Sequence, residues 1–190
     1  DRIHVEMARD VGKSIEERGK IERGIEKRTS EKDRLRLEMQ QLLPHLTRIS
    51  GDDLLRFELW KEQNGRCLYT DQAISPAMLA ASDNSVQVDH ILPWSRFGDD
   101  SFINKTLCFT SANAEKRGDT PYEWFTRARP ADWDRFSAQV EACKALKGRK
   151  KRNYLMRNAE ERESRFRERN LNDTRLSLIH ISEPTRPRLI

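Results

Sequence analysis

The chain has 190 residues, 36% of them hydrophobic and 35% charged, and its mean hydropathy of −0.88 is too polar for one compact globule of that length. Lys and Arg outnumber Asp and Glu by 36 to 31, a net +5 that suits an acidic partner such as nucleic acid without requiring one. Three cysteines without close pairing argue against a disulfide framework, no apolar run approaches the ~18 residues of a membrane span, and no signal peptide opens the chain, so a soluble cytoplasmic protein is expected.

Residues 1–10, DRIHVEMARD, alternate around Ile3, Val5 and Met7 and read as a strand. Residues 11–50 turn helical, with a thin apolar stripe of Val11, Ile15, Ile21, Ile25, Leu35, Met39, Leu42 and Leu43 that Gly19 and Gly24 weaken. A long exposed connector is expected there, its charges solvated. Pro44 and the SGDD at 50–53 end this arm, with Ser50 or Asp52 as the cap of a helix whose apolar face is Leu54, Leu55, Phe57, Leu59 and Trp60. NGRCLYT is a turn into a short extended piece, and SPAMLAAS a short helix with Pro76 near its first turn. Residues 51–126 hold most of the aromatics and are the expected compact domain.

Beyond Pro130, Trp133, Phe136, Val140 and Cys143 recur at helical spacing. Gly148 and the run KGRKKR then break the pattern, as a phosphate-contacting patch or a solvated turn, before a charged helical stretch to about Arg169. Residues 127–175 are thus a second helical linker. The last fifteen residues, LSLIHISEPTRPRLI, share no period with the rest and are read as an unstructured or artefactual tail resembling translated adapter sequence.

Chemistry concentrates in VDHILPWSRFGDDSFINKTLCFTSAN, 88–113. Asp89 and His90 stand side by side in an apolar strand, where either one buried without a partner would cost several kcal/mol. A loop, a second strand TLCF and a helix opening near SANAEK follow, the outline of a ββα metal hairpin. Asn104 lies 14 residues and Asn113 23 residues after His90, which sets Asn113 on the first turn of a helix packed on both strands. Asp89 and Asn113 then converge as two oxygen ligands for a hard cation such as Mg²⁺, which keeps several waters, and Mn²⁺ can substitute. His90 faces the space before the ion, where an imidazole of unperturbed pKa ~6.5 can take a proton from water. Asn104 is read as a loop amide that ties the hairpin together.

On these residues the segment VDHILPWSRFGDDSFINKTLCFTSANAEKRGDTPYEWF resembles the HNH nuclease domain of the type II CRISPR RNA-guided DNA endonucleases, the Cas-nine family, and most of all its compact subtype. IHVEMARDVGKS looks like that family's second RuvC motif, and RERNLNDTR, 167–175, like the approach to its third. The resemblance implies an α+β fold, a small ββα-metal domain flanked by long charged helices. It implies His90 as general base, Asp89 and Asn113 as Mg²⁺ ligands, and Glu6 as a metal ligand of a separate RuvC centre in the parent protein only. The implied reaction is hydrolysis of the DNA strand paired to guide RNA, in antiviral defence, by a monomer in a prokaryotic cytoplasm. Guide RNA would be engaged through the complete effector, where base pairing reads sequence, a division of labour for which these endonucleases are themselves the standard example. Lys105, Lys116 and Arg117 are expected at phosphates from their positions.

Cys67 is followed by LYT, not by the partner cysteine of a zinc knuckle, so no structural zinc is expected. Two other readings stand beside the first: a self-standing HNH nuclease of the homing or restriction type, and a non-catalytic basic helical binder of nucleic acid in which Asp89 and His90 are structural.

Overall fold

Residues 15–80 and 84–168 are described in the computed structural model, so the strand expected at 1–10, with Glu6, and the tail at 176–190 lie outside them. The chain divides into two units, one ending at Ile49 and one beginning at Ser50.

In the first unit, the charge-rich stretch forms one 28-residue helix, α1 (Ile15–Leu42). Gly19 and Gly24 both lie within it, and open space surrounds them, so they lower helix propensity without a packing return. Short-range pairs act the other way: Arg34 meets Glu38 and Arg36 meets Asp33, each at 2.9 Å, for a few tenths of a kcal/mol apiece. Ile21, Ile25, Leu37 and Leu42 are exposed, whereas Met39 and Leu43 are buried.

The second unit opens on α2 (Gly51–Glu62), started by a capping box. The Ser50 hydroxyl accepts from the Asp53 amide at 3.2 Å, and the Asp53 carboxylate accepts from the Ser50 amide at 2.8 Å. Such a cap stabilises a helix by ~1 kcal/mol. Asn64 and Gly65, both at positive φ, then reverse the chain, and the Trp60 indole N–H closes the turn on the Ile74 carbonyl at 2.7 Å. A short α3 (Pro76–Leu79), with proline in its first turn, leads to the hairpin.

Strands β1 (Val86–His90) and β2 (Lys105–Phe109) are antiparallel, with Asp89 opposite Thr106 and His90 opposite Lys105. Between them lie α4 (Trp94–Phe97) and a 3₁₀ turn at Phe102–Asn104. Two strands alone are marginal in water. Here the buried Gln63 side chain stands in for a third strand: its amide accepts from the Leu107 N–H and donates to the Leu107 carbonyl, each at 2.8 Å. Helix α5 (Thr110–Lys116) follows β2 directly, and α6 (Pro121–Ala128) starts with a second capping box, Thr120 with Glu123.

Trp133, Phe136 and Val140, spaced as the sequence predicts, are the buried face of α7 (Trp133–Ala142). They do not belong to a separate linker. Phe136 packs on Phe125 with ring centroids 4.6 Å apart and on Tyr154 at 6.1 Å, while Tyr69 meets Trp124 edge-on at 5.5 Å. This aromatic core joins α6 and α7 to α8 (Gly148–Tyr154) and to the segment before β1, so the compact region expected to end at 126 continues well past it. The basic run is likewise neither patch nor turn throughout, because it begins α8, and Lys150 is buried, ion-paired to Glu62 with its ammonium 4.5 Å from the centre of the Phe102 ring. Burial lowers the pKa of that ammonium.

A helical stretch at 160–168 is the last described element of the unit. Arg96 of α4 clasps it, with Glu123 at 2.6 Å and Glu163 at 2.8 Å from its guanidinium. Gly98 adopts φ 60 at the end of α4, and a Cβ there would lie 2.1 Å from the Phe166 ring, so only glycine admits that ring. Among the described residues no helix is long and apolar enough to cross a membrane.

Candidate active site

Side chains alternate across a strand, so consecutive Asp89 and His90 leave β1 on opposite faces. Asp89 is only 8% exposed. Its carboxylate is held by two donors on one oxygen: the Tyr69 hydroxyl is 2.9 Å from Oδ2, and the Lys116 ammonium is 3.0 Å from the same atom. Oδ1 accepts no hydrogen bond from the described residues. Burial and the neighbouring Asp89 charge push the Tyr69 phenol well above its ordinary range, so it stays a protonated donor.

Lys116 corrects an expectation. Its side chain is 1% exposed, and besides Asp89 it donates to the His90 carbonyl at 2.9 Å. A cation so enclosed cannot reach a phosphate; it neutralises Asp89 and pins the end of β1.

His90 points to the other, partly exposed side. Its Nε2 lies 2.8 Å from Asp100 Oδ1, and the Lys105 ammonium lies 2.9 Å from that same oxygen. Lys105 first, and His90 second, hold the Asp100 carboxyl below its ordinary range. Lys105 is therefore engaged within the protein, its position fixed by the register that sets it opposite His90. Of the three basic residues expected at phosphates, Arg117 alone is exposed, at the end of α5 with φ 56.

Asn104 is fully buried and every one of its polar atoms is used. Its Oδ1 accepts from the Leu92 N–H at 3.0 Å, its Nδ2 donates to the carbonyls of Leu92 and Asp99 at 2.8 Å, and its own carbonyl accepts from the Ile91 N–H at 2.8 Å. The loop between the strands is thereby sewn to the end of β1.

Asn113 lies on α5, half-buried, its side-chain amide without a hydrogen-bond partner among the described residues. It precedes Lys116 by three residues and so shares a helix face with the side chain that meets Asp89. No hydrogen bond or ion pair among the described residues joins His90 to Asp89 or to Asn113. The donor chemistry fits a hard cation: one carboxylate oxygen and one amide oxygen have no hydrogen-bond partner among the described residues. The described residues hold no group of three or more His, Cys, Asp or Glu suited to a metal, so an ion at this place would keep most of its water.

Two residues of this constellation carried no signal in the sequence. Tyr69 lies 20 residues before Asp89 in a stretch read as a turn, and Asp100 belongs to an ordinary loop doublet. The three cysteines are buried, and burial raises the Cys108 thiol, which leaves it inert as a nucleophile.

Residues 67–122 match the HNH endonuclease family. The chain is 35% identical over 187 residues to the CRISPR-associated endonuclease Cas9 1 of Streptococcus thermophilus, an alignment that covers 92% of the chain and 16% of that relative. It is 40% identical over 78 residues to Cas9 of Campylobacter jejuni, covering 41% of the chain and 8% of that protein. Among solved structures it is similar to S. thermophilus Cas9 in complex with the AGAA PAM, with a TM-score of 0.62 and 30% identity over 80% of the chain and 15% of the other. A type II-C Cas9 from Actinomyces naeslundii shares the fold at 16% identity, with a TM-score of 0.58 over 74% of this chain and 14% of that one. The chain thus spans about a sixth or less of the length of these relatives.

Proposed function

Taking as premise that the chain is an HNH endonuclease region of a type II Cas9, we propose that it cleaves the guide-paired strand of target DNA by metal-dependent phosphodiester hydrolysis, with His90 as general base. The observation that carries this reading is the split presentation at the end of β1: a desolvated, doubly held carboxylate at Asp89 and, one residue on, an accessible imidazole at His90. These two have separate partners on opposite faces.

In the proposed reaction His90 takes a proton from a water molecule as its oxygen attacks phosphorus. The P–O3′ bond breaks, and the leaving oxygen takes a proton from solvent water, which gives a 3′-hydroxyl and a 5′-phosphate. Asp89 and Asn113 would hold a Mg²⁺ ion, whose charge stabilises the phosphate and the leaving oxygen. Tyr69 and Lys116 fix the Asp89 carboxylate through Oδ2, which presents Oδ1, and Asn104 holds the loop that frames His90. A base of this kind contributes ~10² to 10⁴ in rate. Arg117 is the exposed cation left to contact the DNA backbone. Sequence choice, guide RNA and the antiviral role belong to the longer effector, acting as a monomer in the prokaryotic cytoplasm; as is established for RNA-guided endonucleases themselves, pairing with the guide supplies the specificity.

Plasmid nicking by the chain in Mg²⁺ tests the proposal. Weak nicking without sequence choice is expected, lost in His90→Ala at unchanged thermal stability, with Asn113→Ala needing more Mg²⁺ for the same rate. Equal nicking by His90→Ala and the unaltered chain would refute it.

A further inference from the structure

Asp100 is two-thirds exposed, yet the loop that carries it is fixed from beneath. The carboxylate of its neighbour Asp99 accepts from Arg162 at 2.8 Å and from the Ser101 N–H at 3.0 Å, and the Asp99 carbonyl accepts from Asn104 at 2.8 Å. Arg162 belongs to the helical stretch at 160–168, whose Phe166 fills the space over Gly98 at the start of the same loop. With Asp99 turned inward and held, Asp100 is delivered to the opposite side, where one oxygen meets both His90 and Lys105.

A carboxylate only accepts hydrogen bonds, so the nitrogen 2.8 Å from it must carry the proton, and that nitrogen is Nε2. In the neutral ring the lone pair then resides on Nδ1. We infer that Asp100 is the positioning residue for His90: it selects the Nε2–H tautomer and fixes the ring so that Nδ1 is the atom presented to the attacking water. The inference rests on the reading of His90 as the base. Asp100 itself touches neither water nor phosphate. Lys105 serves to hold Asp100 in place, and Arg162 holds the loop, so the orientation of the base depends on a helix more than 60 residues further along the chain.

The test uses the full 190-residue chain, labelled with ¹⁵N-histidine and studied near pH 8, above the ~6.5 at which an unperturbed imidazole is half protonated. The His90 ring resonances are those missing from His90→Ala. They are expected to show a protonated Nε2 and a bare Nδ1, and in Asp100→Ala to move toward a tautomer mixture. Because Asp100 is exposed, its removal leaves folding unaffected. The nicking rate of Asp100→Ala at saturating DNA and Mg²⁺ should fall about 10- to 100-fold, the scale on which misplaced reacting groups cost rate, with the half-saturating DNA concentration unchanged. Arg162→Ala should move the tautomer in the same direction by a smaller amount. An unaltered His90 tautomer in Asp100→Ala overturns the inference, and so does an altered tautomer at an undiminished rate. If instead His90→Ala nicks as fast as the unaltered chain, the base reading falls first and this one with it.

Discussion

Lys116→Met separates the two roles open to this lysine, contact with a phosphate and counter-charge to the buried Asp89 carboxylate. Methionine keeps most of the buried aliphatic volume and removes only the ammonium, which is 3.0 Å from Asp89 and 2.9 Å from the His90 carbonyl. Asp89, 8% exposed, is then left charged with one donor, Tyr69. Breaking a buried pair from one side costs ~3–5 kcal/mol, and the lost bond to the His90 carbonyl adds about 1 kcal/mol. At an m-value of ~2 kcal/mol/M a loss of about 4 kcal/mol moves the urea midpoint down by about 2 M. Tryptophan fluorescence reads this cleanly, because Trp60, Trp94, Trp124 and Trp133 all lie in the second unit. The decisive comparison is the double variant Asp89→Asn/Lys116→Met, in which no lone charge is buried. It should recover at least ~2 kcal/mol relative to Lys116→Met, a coupling of the size expected for groups in direct contact. A midpoint shift under about 0.5 M for Lys116→Met, the yield of ~1 kcal/mol at that m-value, or stabilities that simply add, would show that Lys116 is not the counter-charge of Asp89.

Asn104→Ala removes three buried side-chain bonds to the backbone of Leu92 and Asp99; at ~1 kcal/mol each it should destabilise by about 3 kcal/mol, and a thermal melt within a degree of the unaltered chain would contradict this. The Arg96 clasp predicts an acid limb. Arg96 holds Glu123 and Glu163 below the usual glutamate range, and a depressed folded pKa contributes stability that is complete above the unfolded value of ~4.3 and is lost as pH falls through the folded one. Urea midpoints taken from pH 7 down to pH 3 should therefore stay level and then drop below about pH 4.3, with a shallower drop in Arg96→Met; parallel curves would exclude the clasp as the cause.

The hairpin was legible because its signals are local. A short apolar run marks β1, the spacing of Asn104 and Asn113 from His90 marks loop and helix, and Ser50 or Asp52 marks the start of α2, where the structure has Ser50 as the cap. The α7 face was legible for the same reason, through the spacing of Trp133, Phe136 and Val140. What the sequence hid is tertiary. Lysine is almost never fully buried without a partner, so Lys116 and Lys150 read as surface charge; their partners, Asp89 and Glu62, lie 27 and 88 residues away. Tyr69 was hidden likewise, since nothing in NGRCLYT distinguishes a turn-side phenol from the donor that holds Asp89. The basic run at 147–152 reads as a patch or a solvated turn because composition averages over a helix whose inner face is Lys150, Asn153 and Tyr154.

That hidden layer explains why the compact unit cannot stop at 126. A two-stranded hairpin does not hold itself, and this one must hold Asp89 and His90 on opposite faces without slipping, since a one-residue shift of register would exchange those faces. Register is fixed from outside the hairpin. Gln63 clamps Leu107 on the free edge of β2, and Lys116 anchors the carbonyl end of β1 at His90. Asn153 of α8 reaches Asn104 and the Ile103 carbonyl, and Arg162 reaches Asp99. Two of these four supports come from beyond residue 126, as do Phe136 and Tyr154, which close the aromatic core over Tyr69. The helices beyond residue 126 that composition marks as a linker thus belong to the rigid mount that a site with two faces requires.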